Sequence, residues 1–131
     1  MTLTVLVVED NPETLRVFQR DLTPFADRLR IESTGSFAGA AALVEQLLED
    51  DDELALVLCE CQVGGESGVE YLVTLAEDER FDSTKKVLVT GATDLTDAIR
   101  AVNKAHLDHY VAKPWDPDEL WNTVTEIGRA H

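Results

Sequence analysis

The chain has 131 residues, 44% of them hydrophobic and 28% charged, which is the size and balance of one globular domain over 1–131 and excludes two packed ones. A chain of this length buries about two thirds of the surface its unfolded form exposes, so the 2 cysteines are not needed as a staple. The 26 acidic and 11 basic side chains leave a net charge of −15, a field that argues against nucleic acid as a ligand of the domain.

In chain order, Leu3–Val8 is a continuous apolar run of strand length. No stretch approaches the ~20 apolar residues of a membrane span, and the N-terminus lacks the basic start and cleavage site of a secretory signal. The expectation is a cytoplasmic protein with no membrane partner, in which Cys59 and Cys61 are thiols rather than a bridge. Asp10-Asn11-Pro12 turns the chain, and Pro12 suits the first turn of a helix over Pro12–Leu22 with Leu15, Val17, Phe18 and Leu22 on one side. Residues 28–33 read as a short alternating strand, and Ser36 can cap an Ala-rich helix reaching Leu48. From Ile31 to Glu79 there is no Lys or Arg but thirteen Asp and Glu. Their densest run, Glu49 to Glu53, reads as a solvated loop.

Residues 54–59 are apolar without alternation, as expected of a central strand covered on both faces. Ser67 can cap a helix over residues 69–76, residues 86–90 read as a fourth strand, residues 95–104 as a fourth helix and His109–Ala112 as a fifth strand. Asp116 then caps a last helix, with Pro117 at its first position and Glu119 at its third.

Five strands alternating with five helices predict a single α/β domain with a parallel sheet covered on both sides. In such sheets ligands gather outside the carboxyl ends of the strands. Those ends carry Glu9 and Asp10, Glu60, Thr90 and Lys113. Two carboxylates 4 Å apart repel by about 4 kcal/mol at an effective dielectric constant near 20, and a hard divalent cation such as Mg²⁺ or Ca²⁺ would relieve that repulsion. With the Thr90 hydroxyl, the open Gly91 and Lys113, the set has the parts of a phosphoryl-binding site. Spacing alone leaves equal room for ordinary solvated charges.

Val5-Leu6-Val7-Val8-Glu9-Asp10-Asn11-Pro12, Val87-Leu88-Val89-Thr90-Gly91 and Tyr110-Val111-Ala112-Lys113-Pro114-Trp115 resemble three signatures of the response regulator receiver domain. The likeness covers essentially the whole chain. It implies a flavodoxin-like, doubly wound fold with strand order 2-1-3-4-5, and a protein–protein switch of two-component phosphorelay signalling rather than an enzyme. By the same resemblance Glu9 and Asp10 hold Mg²⁺ together with the acceptor position, Glu60, and the backbone carbonyl of Gln62. Thr90 and Lys113 sense the phosphoryl group, Tyr110 is the aromatic switch, and the Lys113-Pro114 bond is cis. The partners implied are a sensor kinase or output domain. A homodimer is implied through the face of the helix over residues 95–104, the fifth strand and the last helix, where Arg100, Lys104 and Arg129 fall.

The third-strand signature departs from the family pattern. Counting back eight residues from Gly68 lands on Glu60, with Val63 and Gly64 where the family has Met-Pro, so no aspartate stands at the acceptor position. Asp51 and Asp52 belong at the opposite end of the strand, some ~20 Å away at 3.3 Å per residue. Glutamate adds one C–C bond, about 1.5 Å, and a misplacement of about 1 Å can cost on the order of 100-fold in an in-line transfer. The expectation is that Glu60 is not efficiently phosphorylated and partly imitates the phosphorylated state, through an ion pair with Lys113 or a shared cation. A site that is simply dead is the alternative.

Two rival functions are weighed. Cys59-Glu60-Cys61 invites a redox module, but alternation puts Cys59 on the opposite side from Glu60 and the spacing is not C-x-x-C. Cys59 is expected in the core and Cys61 in a loop. A Mg²⁺-dependent phosphatase would also use strand-end carboxylates, yet Glu9-Asp10-Asn11 lacks the D-x-D spacing of that class. His106, His109 and His131 have no ligand spacing with either cysteine. Trp115 is expected to pack at the start of the last helix and Trp121 to lie partly buried against the first helix or the helix over residues 95–104.

Overall fold

The computed structural model describes residues 2–91 and 103–130, Thr90 and the last four of these in backbone only. The expected helix over residues 95–104 therefore falls almost wholly outside the described residues, as do the side chains of Arg100 and Arg129.

Five parallel strands form the sheet: β1 (Leu3–Val8), β2 (Arg30–Thr34), β3 (Glu53–Glu60), β6 (Lys85–Thr90) and β7 (His109–Ala112), in the order β2-β1-β3-β6-β7. β4 (Gln62–Val63) and β5 (Glu66–Ser67) make a small antiparallel hairpin. The four described helices are α1 (Pro12–Leu22), α2 (Phe37–Glu49), α3 (Gly68–Ala76) and α4 (Pro117–Ala130). The parallel sheet is the one that the strand and helix periods predict, and its flavodoxin-like order is the one that the resemblance implies.

Each helix starts where a short polar side chain can satisfy its first N–H groups. Asn11 accepts from the N–H of Glu13 and Thr14, Ser36 from Gly39, Ser67 from Glu70, and Asp116 from Asp118. Two apolar layers then sandwich the sheet. Val5, Val7, Leu56, Leu58, Val87, Val89 and Val111 face α1 and α4, where Phe18, Leu22, Leu120 and Val124 meet them. Leu6, Val8, Val57, Cys59 and Leu88 face α2 and α3 on the other side. Burying each such side chain contributes about 1.5–3 kcal/mol.

β3 carries an irregularity that decides which way its end points. Its pairing with β1 runs Thr4 to Leu54 and then Val5 to Leu56, so Ala55 is passed over. Leu54 therefore shares a face with Val57 and Cys59, and Leu56 and Leu58 take the α1 face. One extra residue in a strand exchanges its two faces.

Glu49, Asp50 and Asp51 of the acidic run are exposed, as expected, while Asp52 and Glu53 are half-buried. Asp52 accepts from Arg30 Nη1 at 2.9 Å and from the Thr2 N–H at 3.1 Å, which ties the start of β3 to β2 and β1. Asp51 takes the left-handed backbone at φ 59°, a region Asp enters more easily than most residues.

Candidate functional site

Glu9, Glu60 and Lys113 each stand two residues beyond a side chain that faces α1 and α4, namely Val7, Leu58 and Val111. Strand alternation carries all three to the same side of the sheet at its carboxyl edge. There the Lys113 ammonium bridges two carboxylates. It donates to Glu9 Oε1 at 2.8 Å and is in ion-pair contact with Glu60 Oε2. The remaining oxygens are also used: Glu9 Oε2 accepts from the Asp10 N–H at 3.1 Å, and Glu60 Oε1 from the Cys61 N–H at 3.0 Å. Each carboxylate thus receives one backbone N–H and one share of the ammonium.

This cluster is largely shielded from water, with Glu9, Glu60 and Lys113 side chains 1%, 11% and 27% exposed. Burial pushes the Glu60 carboxyl above its ordinary range, against the pull of Lys113 toward the charged form. For Lys113, burial favours loss of the proton, but the two carboxylates outweigh it and hold the ammonium above its ordinary value. One cation between two buried anions is the arrangement that lets all three stay in place.

Asp10 is separate. It is exposed, and its Oδ2 accepts from the Gly64 N–H at 2.9 Å. Gly64 and Gly65 form the two-residue turn of the hairpin with φ of 58° and 80°, the positive values that the tightest β-hairpins require at both positions. Val63 anchors the hairpin in the α2/α3 layer. The hairpin itself was not legible as strands, because its arms are two residues long. The Gly64-Gly65 pair was the signal that could have found it.

The donors at the site are hard oxygens, which fit Mg²⁺ in kind. Their present arrangement is closed: among the described residues no three His, Cys, Asp or Glu side chains are grouped as a metal cage, since Lys113 bridges Glu9 and Glu60 and Asp10 is turned to the hairpin. Gln62, the other expected contributor, pairs with Ser67 in the hairpin. Thr90 ends β6 opposite Ala112, and its side chain lies outside the described residues. Tyr110 is 44% exposed, its ring stacked near that of His109. The Lys113-Pro114 peptide is cis, as the resemblance implies.

The cysteines are placed against the redox reading. Cys59 lies in the α2/α3 layer, and burial raises its thiol well above the ordinary range. Cys61 was expected in a loop; it follows β3 outside regular structure, yet it is buried in the same layer. Gly68 lets α3 begin this close, because a β-carbon there would collide with the Glu60 carbonyl and meet Cys59 Sγ. Trp115 leans on α1, ring against Phe18, rather than only on the start of α4. His109 and His106 are exposed, and His106 takes φ 53° where the chain turns into β7. No helix among the described residues is long and apolar enough to cross a membrane.

Comparison with known proteins agrees with this fold. The family profile of the response regulator receiver domain matches residues 5–125. The hydrogenase transcriptional regulatory protein HoxA of Cupriavidus necator is 32% identical over 127 residues, 97% of this chain and 24% of that protein. The chain thus spans about a quarter of the length of the curated relatives it matches first, 24% and 23%. Among solved structures, the signal receiver domain of an HD domain-containing protein from Pseudomonas fluorescens superposes with a TM-score of 0.78 at 25% identity, covering 96% of this chain and 86% of that one. The receiver domain of a sensor histidine kinase from Pseudomonas aeruginosa, described with a magnesium ion coordinated in its active site cleft, superposes with a TM-score of 0.78 at 19% identity, covering 98% and 99%.

Proposed function

The chain belongs to the response regulator receiver domain family of two-component signalling, and we propose that residues 1–131 form one such domain, a protein–protein switch in which Glu60 replaces the phosphoacceptor and is not efficiently phosphorylated. The observation that carries this is the Lys113 bridge to Glu9 and Glu60. Glu60 Oε1 accepts from the Cys61 N–H and Oε2 is in ion-pair contact with Lys113, so attack on a phosphodonor would have to break an ion pair in a shielded site. Glutamate also displaces the attacking oxygen by about 1.5 Å from where an aspartate would place it.

The pair imitates part of a phosphorylated site, because the longer carboxylate engages the lysine that would otherwise contact phosphoryl oxygens. The imitation is incomplete in charge: a carboxylate carries about −1, against about −1.5 to −2 for a phosphoryl group. Tyr110 remains outward while the pair is formed, in keeping with a partial signal. Thr90 would sense the site beside it.

Glu9, Asp10, Glu60 and the Gln62 carbonyl are the groups that would hold Mg²⁺. When bound, the ion would neutralise the anionic charge of the site. For the cation to share Glu9 and Glu60, Lys113 has to yield part of its hold. The partners supported by the family are a sensor kinase or an output domain, met in the cytoplasm, with a homodimer through the face expected of residues 95–104, β7 and α4. The bridged cluster and the buried thiols beside it support a switch over an enzyme or a redox module.

The test is incubation with Mg²⁺ and a small phosphodonor followed by intact mass. The chain is expected to gain no phosphoryl group under conditions in which Glu60→Asp gains one. Stoichiometric phosphorylation of Glu60 in the unaltered chain overturns the proposal.

A further inference from the structure

Lys113 stands near a tryptophan that is held by a residue far away in sequence. Two positions on, Trp115 donates its indole N–H to Asp21 Oδ2 at 2.9 Å, and its ring lies against Phe18 with centroids 4.3 Å apart. Asp21 is only 4% exposed, on the packing side of α1 beside Phe18 and Leu22. Its other oxygen accepts from Arg20 Nε at 3.0 Å, and its backbone carbonyl accepts from the Trp121 indole at 2.5 Å. Burying a carboxylate there costs solvation that an apolar residue would not forfeit. What the carboxylate supplies is a fixed acceptor for an indole N–H, a charge-assisted bond that is stronger than a neutral one.

The link closes a ring through the site. α1 starts three residues after Glu9, its last turns carry Phe18 and Asp21, Asp21 holds Trp115, and Trp115 is joined through Pro114 to Lys113, which returns to Glu9. Pro114 removes one soft backbone torsion from that short connection, so a shift of Trp115 is passed to Lys113 rather than absorbed between them.

We propose that Asp21 is a positioning residue for Lys113: by holding the Trp115 indole it sets the register in which the ammonium bridges Glu9 and Glu60. The proposal deepens the reading of Lys113 given above and rests on it.

Competitive acylation of lysine amines at trace reagent, read by mass spectrometry with exposed Lys104 as internal standard, separates the two. In the unaltered chain Lys113 should label more slowly than Lys104; equal labelling would overturn the ion-pair reading itself. Trp115→Phe keeps an aromatic ring beside Phe18 and removes the N–H together with the pyrrole half of the indole. It should raise Lys113 labelling about tenfold, the scale of one charge-assisted hydrogen bond. Asp21→Leu should do the same, and Asp21→Asn, which keeps an acceptor oxygen, should restore the slow rate. Trp121→Phe removes the other indole bond to Asp21 and should leave Lys113 unchanged, so a rise there equal to that of Trp115→Phe would show general loosening and overturn the proposal. Lys113 labelling unchanged in a folded Trp115→Phe chain also overturns it. Should Asp21→Leu fail to fold, the Trp115→Phe and Asp21→Asn pair carries the test.

Discussion

The Gly64 N–H donates to Asp10 Oδ2 across 2.9 Å, so the hairpin that follows β3 is latched to the end of β1. The latch depends on a turn that only glycine occupies without cost. Gly65 stands at φ 80° with open space around the position of a β-carbon, so a side chain there meets backbone strain and no clash. Gly65→Val should lower unfolding free energy in urea by about 1–2 kcal/mol, the cost of the left-handed conformation, with no loss of sheet signal by circular dichroism.

Lys113→Met removes the cation between Glu9 and Glu60 and leaves two shielded carboxylates facing each other. Stability at neutral pH should fall by about 3 kcal/mol, as for a buried pair deprived of one partner. Mg²⁺ should recover much of that loss, because it would no longer compete with an ammonium. Titration calorimetry is expected to show Mg²⁺ binding at least about tenfold tighter than in the unaltered chain, about 1.4 kcal/mol. Weaker Mg²⁺ binding would mean that Lys113 does not compete for the site.

The raised carboxyl of Glu60 has a signed consequence for stability. Below the ordinary glutamate range near 4.3 both folded and unfolded chains hold the proton, and nothing changes. Above it the unfolded chain releases the proton first, so the folded chain holds more protons and its stability falls as pH rises toward the folded value. Lys113 acts at the other extreme: its raised value means its contribution is complete below about 10.4 and is lost as pH rises through the folded value. The stability difference between the unaltered chain and Glu60→Gln, followed by urea denaturation, should therefore shift in favour of Glu60→Gln as pH rises above about 4.3 and level off past the folded value. A flat difference would place Glu60 at its ordinary value.

Cys59 and Cys61 are both buried, and burial keeps the Cys59 thiol protonated at neutral pH. A disulfide reagent such as dithiobis(nitrobenzoate) should label neither under native conditions on the timescale at which both react in urea, since only the thiolate attacks. Rapid native labelling of either would reopen the redox reading.

Much of the fold was legible because local and periodic signals agree. The caps Asn11, Ser36, Ser67 and Asp116 stand where the helices begin, and each is a short polar side chain just before an apolar period. The β1 and β7 ends were legible through Glu9-Asp10 and Lys113-Pro114. Less legible was the role of Asp21. Nothing local marks one acidic residue of α1 as buried, and its partner Trp115 lies 94 positions away.

The sequence by itself determined the strand ends and the residue that stands at each, Glu9, Glu60, Thr90 and Lys113, because a strand terminus is written in the switch from an apolar run to a polar or charged residue. It also determined that Glu60 brings one more methylene to the acceptor position than aspartate would. Tertiary structure decided which face those ends serve. The run from Leu54 to Cys59 is apolar throughout, and with no polar alternation it carries no record of its own orientation. The passed-over Ala55 in the β1–β3 pairing turns Leu58, and with it Glu60, toward α1, where Lys113 waits. A strand buried on both sides can take either face in sequence, and only its register against a neighbour selects one.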